Sequence, residues 1–231
     1  MNNEHLRILP YDRCGALGID IAVYSDKATV GDYCREIEDY ILHGNYERKK
    51  AHLNTCEGCD ICCQERIPLT SIDVLMLQEQ VAGESGASLH LDEFFKRFTY
   101  VAVSGRAVDI SLSRKPDERC LFLDKESKRC LQYEKRPFVC RTYLCANSSR
   151  RLTRLRGAIV NSGEDELVRL WLLTATNAKY IMHEALEPAI NPEDWPENVW
   201  TGKQHFDEVI IKDIISPALW ADLFEKGEQN V

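Results

Sequence analysis

What the chain lacks narrows its reading first. No window of its 231 residues approaches roughly eighteen consecutive apolar positions, which argues against a membrane-spanning helix. Met1 to Pro10 is polar and holds no apolar run of the kind found in secretion signals, so a cytoplasmic location is expected. No Gly-x-Gly-x2-Gly, P-loop or Gly-x-Ser-x-Gly element is present, and Gly15-x2-Gly18 is too short for a dinucleotide loop. Internal repeats and low-complexity runs are also missing. Basic residues are the minority, 29 against 37 acidic ones, and the net charge of −8 speaks against a nucleic-acid partner. What remains is a chain that is 44% hydrophobic, enough for a core, and of a length that suits one domain or a domain with an extension.

Cysteine is distributed as unevenly as any residue can be. Eight of the ten cysteines lie between Cys56 and Cys145, and none follows. In reducing cytosol structural disulfides are rare, so clustered thiols point to a metal site. Charge follows the same pattern. Arg106 to Arg156 carries fourteen Lys and Arg against six Asp and Glu, a block of +8 in a chain whose remainder is −16. Four thiolates around Zn²⁺, or around a [4Fe-4S]²⁺ cluster, leave a charge of about −2 per site, and nearby cations would offset it. A solvated basic face or a docking surface for an anionic partner would read the same way.

Periodicity predicts an α+β fold, predominantly α-helical, in which a small cysteine-lined metal core with short β-hairpins is wrapped by helices. Residues 1–55 form an N-terminal extension with one helix from about Val30 to His52, on the stripe Val30, Cys34, Ile37, Ile41. The segment before Val30 resists assignment. Residues 56–160 form the cysteine domain. In it Thr70-Ser71-Ile72-Asp73 is a capping box opening a helix to about Val81, which Gly83 to Gly86 should end. Leu91–Phe98 reads as a short helix, Tyr100–Val103 and Val108–Leu112 as a hairpin about Gly105-Arg106. Cys120–Leu123 and Cys130–Tyr133 read as a second strand pair, and Pro137 as the first turn of a helix over Phe138–Tyr143. Residues 161–231 are predicted to be helical and strand-free from Glu164 to Phe224. Helices there are expected over 164–186, from Phe206 to Ile214, and after the Ser216-Pro217 cap.

The first cysteine group is Cys56-x2-Cys59-x2-Cys62-Cys63; the second is Cys120, Cys130, Cys140 and Cys145. Two intervening residues let a tight turn deliver both flanking sulfurs to one metal. Adjacent Cys62 and Cys63 are expected to diverge, so one of them would serve a second metal or support the first. Cys140 and Cys145 are about 140° apart around a helix and converge only if the helix ends between them. These eight cysteines, together with Ile67-Pro68-Leu69-Thr70, Asp73, Cys120-Leu-Phe-Leu-Asp124, Cys130-x2-Tyr133 and Arg136-Pro137-x2-Cys140-Arg141, complete the pattern. It resembles the CxxCxxCC cysteine-cluster family, the YkgJ-type zinc- or iron-chelating domain, over about 40% of the chain, Cys56 to Cys145. A more distant resemblance, to flagellin lysine N-methylase, implies an iron–sulfur cluster and S-adenosylmethionine-linked methyl transfer. Cys14 and Cys34 stand outside the family pattern. Cys34 is expected to be a core thiol and no ligand, His52 is a weaker candidate for a zinc site, and His183 and His205 are expected as surface or packing residues in helices.

Three functions fit these residues. The first is a cytosolic metal-binding protein in which Cys56, Cys59, Cys62, Cys63, Cys120, Cys130, Cys140 and Cys145 hold an iron–sulfur cluster, 4Fe-4S being favoured over zinc because three closely spaced sulfurs match three corners of a cubane. Arg136 and Arg141 would offset the thiolate charge. The second is a metal-dependent enzyme modifying a protein or small substrate. The third is a zinc-stabilised interaction module. The expected partner is a protein or small molecule, not a membrane.

Overall fold

The computed structural model describes residues 3–47, 59–85, 89–174 and 179–225. In chain order its elements are β1 (Leu6–Arg13), β2 (Ala16–Val23), α1 (Val30–His43), α2 (Ser71–Ser85), α3 (Leu91–Phe98), β3 (Thr99–Ser104), β4 (Ala107–Leu112), α4 (Phe138–Thr142), β5 (Asn147–Ser148), α5 (Arg150–Leu173), β6 (Glu184–Leu186), α6 (Ile211–Ile214) and α7 (Pro217–Leu223). Two small sheets, β1-β2-β5 and β4-β3-β6, accompany the helices, which is the expected α+β class. No helix among the described residues is long and apolar enough to cross a membrane. The chain divides into two compact units, one built from 1–52, 141–159 and 203–231, the other from 53–140 and 160–202.

In the first unit β1 and β2 form an antiparallel hairpin in the register Leu6↔Val23 to Arg13↔Ala16. Its two-residue tip is Cys14-Gly15, both at positive φ (56° and 86°). That is the geometry a twisted hairpin demands, with cysteine standing where asparagine is commoner. Pro10 is tolerated because β1 is an edge strand. β5 adds to β2 in parallel, Gly18 opposite Asn147. A side chain at Gly18 would overlap the Asn147 carbonyl, so this pairing requires glycine. The Thr29–Asp32 capping box starts α1, with the Asp32 N–H donating to Thr29 Oγ1 at 3.0 Å and the Thr29 N–H to Asp32 Oδ2 at 3.0 Å. Leu6, Ile8, Ile19, Ile21, Val30, Tyr33, Cys34 and Ile37 are all buried in this unit. Cys34 is thus the core thiol that its stripe predicts.

The second unit packs its sheet against helices. β3 and β4 pair antiparallel from Thr99↔Leu112 to Ser104↔Ala107, turning at Gly105. Phe94, Phe95, Val101, Ile110, Leu167 and Trp171 centre an apolar core, and Cys63, Cys130 and Cys140 pack against its margin. Cys120 is itself a buried member of this core, whose bulk is aromatic and aliphatic. Residues 67–69 lie along β4: the Leu112 N–H donates to the Ile67 carbonyl at 2.8 Å and the Leu69 N–H to the Ile110 carbonyl at 3.1 Å. This docking ties the turn that follows the first cysteine group to the sheet.

Several expectations are corrected. The segment expected to be strand-free contributes β6, which pairs in parallel with β3, Ala102 opposite Glu184. The apolar stripe predicting helix to residue 186 is real only to Leu173; beyond it Thr174 turns its hydroxyl back onto the Trp171 carbonyl at 2.7 Å. α1 stops at His43 because Gly44 leaves helical geometry (φ −75°, ψ 158°). α2 runs past Val81 to Ser85, inside the Gly83 to Gly86 stretch expected to end it. The helix expected from Phe206 to Ile214 splits into a 3-10 turn, Phe206–Glu208, and α6. The pair 120–123 and 130–133 reduces to the single bridge Leu123↔Cys130, since the charged loop between them spends its hydrogen bonds internally. His183 lies beside β3, its Nδ1 accepting from the Val101 N–H at 3.0 Å, and His205 precedes a 3-10 turn; neither is helical.

Candidate metal centre

Five of the eight sequence-predicted ligands come together in the second unit. Cys62 and Cys63 sit on a 3-10 turn, Ile61–Gln64, closed by the Cys63 N–H donating to the Asp60 carbonyl at 3.0 Å. The tight turn overrides the expected divergence of neighbouring side chains, and the Cys63 thiol donates to the Cys62 sulfur. Cys120 is placed by its own N–H, which donates to the Cys63 carbonyl at 2.9 Å. Cys130 is held opposite Leu123, with the Leu131 N–H donating to the Phe122 carbonyl at 2.8 Å. Cys140 is presented by α4, whose first residue, Phe138, is anchored in the interior.

The five thiols are close enough to shift one another's titration. Burial is the largest influence on Cys120, Cys130 and Cys140 and pushes all three up, Cys140 most. Cys140 is raised further by Cys120, Cys62 and Cys130, and Cys130 by Cys62. The bond from Cys63 pulls Cys62 down and raises Cys63 in turn. Two cations work in the opposite sense. Arg136 favours the thiolates of Cys62 and Cys130, and Lys115 that of Cys120. Arg136 is fixed for this by stacking over the Tyr133 ring, 3.9 Å from its centroid, and by donating Nε–H to the Tyr133 carbonyl at 3.0 Å. Lys115 donates its ammonium to the Leu123 carbonyl.

The other calls fare differently. The Arg141 guanidinium is engaged fork-to-fork by Glu38, at 2.8 and 2.9 Å, within the first unit. Cys145 also belongs to the first unit. Cys59, half-buried, makes no hydrogen bond with the five among the described residues. Cys56 and His52 lie outside the described residues. Lys115 escaped the sequence reading, although its place in the basic block was a signal for it. Asp73 was noted as a helix cap, yet it also accepts from the Phe138 N–H at 2.6 Å, which no local pattern reveals.

Gathered is not the same as pre-arranged. Among the described residues no three His, Cys, Asp or Glu side chains already form an ion-holding shell. The donor set nevertheless fits a soft metal: it is all sulfur, packed beside an apolar core, and mutually repulsive once ionised, a combination that a cation relieves and that hard cations do not select. Residues 55–156 match the family model CxxCxxCC, described as "Putative zinc- or iron-chelating domain". No curated protein and no solved structure matches the chain.

Proposed function

We propose, with residues 55–156 matching a chelating domain, that this chain holds a metal centre through cysteine thiolates, and that the centre is an iron–sulfur cluster. One observation carries the reading: Cys62, Cys63, Cys120, Cys130 and Cys140 reach one corner of the second unit from four separate stretches of chain. Chance burial of thiols would not bring with it two cations aimed at them. The Cys-x2-Cys-x2-Cys run, which ends in Cys62, favours a cubane over zinc. Cys56 and Cys59 are candidates for the remaining ligands.

An iron–sulfur cluster, when bound, supplies one-electron transfer or Lewis acidity. The chain's own contribution is electrostatic and steric. Arg136 and Lys115 favour the ionised sulfurs that ligation needs, and the margin formed by Phe122, Leu123 and Val139 keeps the sulfurs in low dielectric. The test is elemental analysis with an absorption spectrum of protein purified without oxygen. The expected result is brown protein with broad absorption near ~400 nm from sulfur-to-iron charge transfer, with iron and acid-labile sulfide in equal amounts. Colourless protein carrying stoichiometric zinc, and taking up no iron on anaerobic reconstitution, would replace the cluster by a closed zinc site.

A further inference from the structure

Asp73 is a buried carboxylate, 1% exposed, with two tasks visible in its hydrogen bonds. Oδ2 accepts from the Thr70 N–H at 2.8 Å and from the Thr70 hydroxyl at 2.9 Å, completing the capping box that opens α2. Oδ1 accepts from the Phe138 N–H at 2.6 Å, across 65 positions of chain. Phe138 is the first residue of α4 and is fully buried, and Cys140 lies two residues further on. α2 is held in turn by the core, through Val74 and Leu77. The carboxylate is therefore a strut between a helix anchored in the core and the short helix that presents a thiol.

The charge makes the arrangement informative. The capping box uses only one of the two carboxylate oxygens. Burying a carboxylate costs free energy, and the return visible in the structure is positional: the Phe138 N–H ties the start of α4, and with it Cys140, to core-anchored α2. We infer that Asp73 is the positioning residue for Cys140, setting its place in the thiol cluster through the Phe138 N–H. The inference rests on the metal-centre reading for its consequence, and on the hydrogen bonds for its geometry.

The experiment uses the full chain and Co²⁺ as the probe, whose sulfur-to-metal charge-transfer absorbance per bound ion follows the number of thiolates. Asp73→Ala is expected to weaken Co²⁺ binding about 10- to 100-fold, the usual effect of removing a group that orients a ligand, and to lower the absorbance per ion to that of Cys140→Ser. Combined with Cys140→Ser, Asp73→Ala should cost nothing further, because both act through one sulfur. Thr70→Ala removes the hydroxyl of the capping box but leaves the Phe138 bond, so it should lower stability and leave the Co²⁺ spectrum unchanged. Where Asp73→Ala is insoluble, Asp73→Asn, which keeps one acceptor oxygen, replaces it in the same comparison. Full affinity in the Asp73 variant, a full additional loss on the Cys140→Ser background, or a Thr70→Ala spectrum that matches Asp73→Ala would each overturn the role. Wild-type protein that takes up no Co²⁺ would sink the metal reading alone. Alkylation of metal-free protein then decides: Cys140 should label several-fold faster in the Asp73 variant with Cys120 unchanged, and equal Cys140 rates would overturn the inference.

Discussion

Glu164 offers a pH-dependent handle on the second unit. It lies on α5, half-buried, and its Oε1 accepts from the Ile110 N–H of β4 at 3.0 Å. Burial pushes its pKa up to about 7 from an ordinary 4.5; the Ile110 bond opposes this, while Asp109 and Asp165 add to it. The folded protein thus holds this proton more tightly than the unfolded chain does. Below about pH 4.5 both states are protonated and the group is neutral in effect. As pH rises from about 4.5 to about 7 the unfolded chain ionises first, and stability falls; above about 7 the loss is complete. A shift of this size corresponds to at most ~3 kcal/mol, and because solvent reaches part of the carboxyl, about 1–2 kcal/mol is expected. Glu164→Gln keeps an acceptor for Ile110 and cannot ionise. The variant should match wild type near pH 5 and exceed it by about 1–2 kcal/mol at pH 8. Urea unfolding of metal-free, reduced protein, followed by tryptophan fluorescence at several pH values, measures the difference directly. A gap that is constant with pH, or a variant less stable at pH 8, would refute the argument.

Two further substitutions probe the surroundings of the thiols. Gly163→Ala places a Cβ 2.7 Å from Thr70 Cβ and 3.2 Å from Trp200 Cζ2, so α5 must move away from the cap of α2. A loss of about 1–3 kcal/mol by urea unfolding is expected, and a neutral or stabilising change, as helix propensity alone would give, would contradict the packing. Arg136→Gln removes the cation that favours ionised Cys62 and Cys130. Iodoacetamide labelling of Cys62 in metal-free protein at pH 7 should slow several-fold, while labelling of Cys120, which Lys115 serves, holds steady; an equal effect on both would show general unfolding instead.

Local signals in the sequence were read accurately where one short stretch determines the outcome. The capping residues Thr70 and Ser216, the hairpin about Gly105, the helix Leu91–Phe98 and the burial of Cys34 all follow from neighbours within a few positions. Failures cluster where a partner far along the chain decides. β6 has no strand signature in Glu-Ala-Leu, and is a strand only because β3 offers an open edge. The β1–β2 hairpin was hidden by Pro10, by a cysteine at the αL position of the tip, and by burial that blurs alternation in β2. The ion pair of Arg141 with Glu38 spans 103 positions and has no local signal. Within the site, the ligand candidates were legible from spacing. The contact between Cys62 and Cys63 was not, because it depends on a 3-10 turn whose closing bond is backbone to backbone.

The second unit divides its chain between two kinds of order. α2, α3, β3, β4 and the later part of α5 are fixed by apolar burial around Phe94, Phe95 and Trp171, which needs no thiol. Residues 113–137, between β4 and α4, contain no strand or helix beyond the isolated bridges at Cys120 and Cys130 and the 3-10 turn Tyr133–Lys135. Their anchors include the Ser113 N–H on Phe98, the N–H of Cys120 on Cys63, the ammonium of Lys115 on Leu123, and the burial of Cys120, Phe122 and Leu123 in the core. This stretch carries two of the five gathered thiols, with Cys63 before it and Cys140 after it. The gathered thiols thus stand where the apolar core meets a stretch of little regular secondary structure. In the metal-centre reading, ligation through Cys63, Cys120, Cys130 and Cys140 would cross-link this stretch to α4 and to the turn before it, adding its free energy to the order of a segment with little backbone ladder of its own.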